Sequence, residues 1–118
     1  MPFQSILKEL VDAVPRAIGA IVVDWEGEAV QEYCHCDSYD IRFVAAHKGI
    51  VLARLRETHA GNQGGEIEEV VVTSERQVLL IGAVDADYSL VLQVERPCIT
   101  AVARRHFAAA VDRLKKEL

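Results

Sequence analysis

The sequence is short of residues that would staple it or anchor it. Cys34, Cys36 and Cys98 are an odd set of three with no disulfide framework, which fits a reducing compartment. No apolar run approaches the roughly 18 to 20 residues needed to cross a bilayer. Lys8, Glu9 and Asp12 also interrupt the N-terminal apolar positions at helical intervals. Neither membrane insertion nor a secretory leader is expected, and the expected location is cytoplasmic. Basic residues are outnumbered, 13 Lys and Arg against 18 Asp and Glu. The resulting charge of -5 argues against nucleic acid or an anionic membrane as the main partner. Chemical motifs are equally sparse. Gly61, Gly64 and Gly65 lead into a strand with no Lys-Ser or Lys-Thr after them, so they make a flexible loop rather than a phosphate cradle.

What is present is globular. With 51% hydrophobic and 26% charged residues, the 118-residue chain can bury one core, and a single domain over 1–118 is expected. Phe3, Ile6, Leu7, Leu10, Val11 and Val14 fall on one helical stripe, and Pro15 should stop that helix. The run from Ile18 to Val23, then Asp24 to Gly27, predicts a hairpin with strands near Ala17 to Asp24 and Glu28 to Cys34. Its second strand has the weaker alternation of a sheet edge.

From Ser38 the period returns to 3.6. Ile41, Val44, Ala45, Leu52 and Leu55 share one helical face, interrupted by Lys48, while Phe43, His47, Ile50, Val51 and Arg54 lie to the side. A second apolar side points to a second partner, another copy of the chain. The alternative is that Phe43 and Ile50 are core residues of a two-sided helix. Three strands follow, near Ile67 to Thr73, Gln77 to Val84 and Tyr88 to Val94, joined by turns short enough for antiparallel pairing. Glu66, Glu68 and Glu69 mark the first as an edge, and Val78 to Ile81, apolar on both faces, is an inner strand. Pro97 is expected to open a final helix whose buried stripe is Ile99, Ala103, Phe107, Ala110, Val111, Leu114 and Leu118. The fold class is α+β, in the order α-β-β-α-β-β-β-α, with helices on both faces of a five-stranded antiparallel sheet.

Candidate chemistry is thin. Cys34, His35 and Cys36, with His47, His59 and Cys98 elsewhere, are zinc-ligand types. Neighbours on an extended segment point to opposite sides, however, and no CxxC or HxxxH half-site exists, so no metal or other cofactor is expected. Asp24, Glu26 and Glu28 read as a hydrated turn, and the three glutamates as a solvated edge. No catalytic residue is assigned, because no acid, base or nucleophile has a visible partner.

Several segments together resemble the Roadblock/LC7 family, especially its bacterial and archaeal members. They are the helix ending at Val14-Pro15, Gly19 to Asp24 with Gly27, Glu69 to Glu75, Val78 to Ile81, Asp87 to Leu92, and Arg104. The resemblance covers nearly the whole chain. It implies a profilin-like build and a non-enzymatic homodimeric adaptor that regulates a small Ras-like GTPase, as the family's gliding-motility partner does. It also implies a dimer made by pairing the middle helix and joining sheet edges. That puts Phe43, His47, Ile50, Val51, Arg54, Ile67, Val70 and Val71 at the dimer interface, and Lys48, Arg54 and Arg56 toward the partner. Glu66, Glu68 and Glu69 would then approach their own copies, a destabilising arrangement unless an offset register, or Arg54 or Arg56, relieves it. The C-terminal tail that some members use on partners is not expected here. Two readings compete: a small-molecule sensor of profilin-like or PAS-like build, with its ligand between sheet and middle helix, and a purely structural dimerisation module. Against the sensor, Val78, Leu80, Leu90 and Leu92 are bulky enough to fill that space.

Overall fold

In the computed structural model of the chain, the described residues are 2–24, 26–35, 54–55, 57, 65 and 67–117. Helix α1 (Pro2–Ala13) closes its last turn with Val14 N–H donating to the Leu10 carbonyl at 3.2 Å. Pro15 has no N–H with which to continue, and Arg16 reverses the chain at φ 68°. A non-glycine residue in that region costs about 1–2 kcal/mol, and the turn is held by Arg16 Nη2 donating to Glu95 Oε1 at 2.7 Å. All six residues of the expected stripe are buried.

Strands β1 (Ala17–Asp24), β2 (Ala29–Cys34), β3 (Glu69–Thr73), β4 (Gln77–Ala83) and β5 (Tyr88–Glu95) form one antiparallel sheet in the order β2-β1-β5-β4-β3. Helix α2 (Thr100–Glu117) follows. The described order is α-β-β-β-β-β-α. Of the expected middle helix, Arg54, Leu55 and Glu57 are described and helical. Its remainder lies outside the described residues.

Both expected edges are edges, β2 at one side and β3 at the other. Gly27 closes the first hairpin at φ 86°, while Asp24 Oδ1 accepts from the N–H groups of Glu26 and Glu28, each at 2.9 Å. Asp85 does the same between β4 and β5, accepting from Asp87 and Tyr88 at 2.8 and 2.9 Å. These carboxylates satisfy turn N–H groups that the ladder leaves over.

The two faces of the sheet differ. On one, Ala20, Val22, Val78, Leu80, Leu90, Leu92 and Val94 pack with both α1 and α2, including Phe107, Val111 and Leu114. On the other, Ile21, Val23, Ile81 and Val91 are buried together, with Cys34, Ile67, Val70 and Val72 against them. The two described helices therefore share one face; the middle helix expected to help cover both faces lies mostly outside the described residues. The sensor argument is corrected by the same observation, because Val78, Leu80, Leu90 and Leu92 lie under α1 and α2.

Helix α2 corrects two further expectations. It begins at Thr100, three residues beyond Pro97, which sits in a cis Arg96-Pro97 bond. Ile99 consequently lies before the first turn and is 72% exposed, while Ala103, Phe107, Ala110, Val111 and Leu114 are buried as the stripe requires.

Candidate functional site

Among the described residues no polar or charged residue is buried, and no three metal-ligating side chains converge. Cys34 and Cys98 pack on opposite faces of the sheet. His35 sits beside α1, with its ring edge-on to Tyr33 at 5.5 Å and Nε2 3.7 Å from Asp12 Oδ1. Lys8 completes the group, its Nζ 2.6 Å from Asp12 Oδ2. That hydrogen bond holds the Asp12 carboxyl below the usual carboxylate range and raises the Lys8 ammonium. Cys36, His47 and His59 lie outside the described residues. An open depression of about 300 Å³ between α1 and α2 is lined by Ser5, Ile6, Arg113, Lys116 and Glu117. One of its lining residues, Arg113, is already ion-paired with Glu9.

The edge at β3 is the more informative surface. Strand alternation turns Val70 and Val72 toward the second face, where they pack with Ile67 against its apolar cluster. Val71 faces the other way and is 38% exposed. Its neighbour on that side, Glu69, is gripped by Arg104 of α2, with Nε to Oε1 at 2.9 Å and Nη2 to Oε2 at 3.3 Å. The two parallel bonds match guanidinium to carboxylate and raise the affinity of Arg104 for its proton. Glu69 is thus an internally paired carboxylate, where a solvated edge charge was expected. No spacing rule links residues 35 apart, and only the placement of α2 over the sheet brings them together.

Of the residues expected at an interface, Ile67 and Val70 are half-buried, Val71 is exposed, and Arg54 is helical and exposed. Phe43, His47, Lys48, Ile50, Val51 and Arg56 lie outside the described residues, as does Glu66.

Comparison of the sequence with protein-family models and with curated proteins gives no match. Comparison of the structure does. A Roadblock/LC7 domain from Streptomyces avermitilis superposes with a TM-score of 0.86 at 19% identity, covering 97% of this chain and 95% of that one. The chain has the Roadblock/LC7 fold. MglB of Myxococcus xanthus shares that fold with it at a TM-score of 0.87 and 16% identity, over 98% of this chain and 94% of the other. An MglB with tetrameric arrangement matches at 0.86 and 16%, over 98% and 86%. Each of these spans nearly the whole Roadblock fold of this chain. No described helix is long and apolar enough to cross a membrane.

Proposed function

We propose that this chain, as a single Roadblock/LC7-like domain over residues 1–118, is a non-enzymatic homodimeric adaptor that binds and regulates a small Ras-like GTPase. One observation carries the reading: the fold agrees with that of MglB over 98% of the chain, in a sequence whose motifs independently resemble the family. Self-association draws support from the MglB of tetrameric arrangement and from the half-exposed apolar edge at β3. The proposed dimer surface comprises Phe43, His47, Ile50, Val51, Arg54, Ile67, Val70 and Val71. Lys48, Arg54 and Arg56 are the proposed GTPase contacts. The protein acts in the cytoplasm, in cell polarity or motility, by biasing the switch segments of the GTPase rather than by donating a catalytic group.

The test is a pull-down of endogenous partners on the tagged protein at its natural level, repeated with GDP and with a non-hydrolysable GTP analogue. Nucleotide-dependent capture of a small GTPase is expected, and capture of none favours the structural dimerisation module. If the purified protein accelerates GTP hydrolysis and Arg54→Ala or Arg56→Ala abolishes this with binding intact, the non-catalytic assignment fails. A small molecule retained in native mass spectrometry favours the sensor.

A further inference from the structure

We propose that Arg104 makes the β3 edge competent to pair with a second copy of the chain, by neutralising Glu69 from within the same chain. The inference rests on the reading of β3 as the dimer edge. Edge strands of proteins that stay monomeric commonly keep a charge on the edge, because pairing would strip water from it. β3 carries such a charge in Glu69, next on the same face to Val71, the exposed apolar residue at the strand's centre. Pairing the full strand with its own copy across a two-fold sets Val71 against Val71 and Glu69 opposite Thr73. A lone carboxylate in that position loses hydration with nothing in return. The Glu69 side chain is already only 27% exposed, and Arg104 satisfies both of its oxygens. A charge that would guard the edge is thereby cancelled by the neighbouring helix, which leaves Val71 as the feature a second strand meets. The bidentate fork also draws the carboxylate toward α2, so the counter-charge does not have to come from the partner.

Dimer dissociation constants, measured by sedimentation on full-length variants with far-UV circular dichroism to verify folding, decide the matter. Arg104 and Glu69 side chains are 56% and 27% exposed, so their replacement leaves the core intact. Arg104→Ala is expected to weaken the dimer roughly tenfold, and Glu69→Gln to change it by less than about twofold. The double variant is expected to return to within about twofold of wild type, because the charge needing a partner is gone. Arg104→Lys, which keeps the charge and loses the fork, should fall between. An unchanged dimer in Arg104→Ala, or a double variant as weak as Arg104→Ala alone, overturns the proposal. Val71→Asp tests the underlying reading separately: dissociation supports β3 as the dimer edge, and a dimer of wild-type affinity removes it whatever Arg104 does.

Discussion

The ring of Phe107 occupies the space that a methyl group on Gly82 would need, since a Cβ there would lie 2.6 Å from Cε1 and 2.9 Å from Cζ. This close approach seats α2 on β4, with Val111 Cγ2 also 3.3 Å from the same point. Gly82→Ala is therefore expected to destabilise the fold by about 1–3 kcal/mol in urea denaturation. Phe107→Leu should relieve part of the overlap, so that the two changes together cost less than their sum.

A second glycine is confined by the neighbouring strand β2. A Cβ on Gly19 would stand 2.5 Å from the Cβ of Cys34, its register partner on β2. Gly19→Ala should cost about 1–3 kcal/mol by forcing the edge strand away. Cys34→Ala should give no relief, because it keeps the atom in the way. Thermal unfolding of the single and double variants separates this case from the Gly82 one.

The Asp24 turn can be tested for a structural role directly. Asp24→Ala removes the acceptor for two N–H groups and is expected to lower stability by about 1 kcal/mol, while Asp24→Asn, which keeps an acceptor oxygen, should lose much less. Neither change should affect binding of a GTPase. A larger effect on binding than on stability would move this turn into the working surface.

The Lys8–Asp12 pair predicts the sign of a pH effect. The folded-state pKa of Asp12 is depressed by the Lys8 hydrogen bond. Its contribution is therefore present above the unfolded carboxylate pKa and lost as pH falls through the lower folded value. The melting temperature of wild type should exceed that of Asp12→Asn by a small, steady margin at neutral pH, closing only in acid below the ordinary carboxylate range. Both side chains are exposed, so salt should narrow the margin too. Lys8, with its pKa raised, loses its share only at alkaline pH.

Local rules were enough for much of this fold. The six α1 residues from Phe3 to Val14 are buried because a 3.6-residue period has one outcome on a helix, and β1 runs from Ala17 to Asp24 as the apolar run and the Gly27 turn require. What stayed hidden depends on contacts between distant elements. Ile99 continued the apolar spacing of α2, but the helix begins only at Thr100, which leaves Ile99 before its first turn. Which strands are neighbours, above all β1 lying beside β5, is an adjacency that no local period encodes. The pairing of Arg104 with Glu69 arises from the same tertiary placement. The sequence pattern therefore located the β3 edge while leaving the state of its charge unread.

The central position of β5 also bears on how the chain is made. Leu90, Val91 and Leu92 are fully buried, with β1 on one side and β4 on the other, yet β5 is the last of the five described strands of the sheet to be synthesised. Until residues 88–95 emerge, the β1–β2 and β3–β4 pairs have no common sheet. Each presents an inner strand, β1 or β4, with a bare apolar edge. A stalled or truncated product ending before Tyr88 should thus be more prone to aggregation than one cut after Glu95, a difference set by strand order rather than by composition.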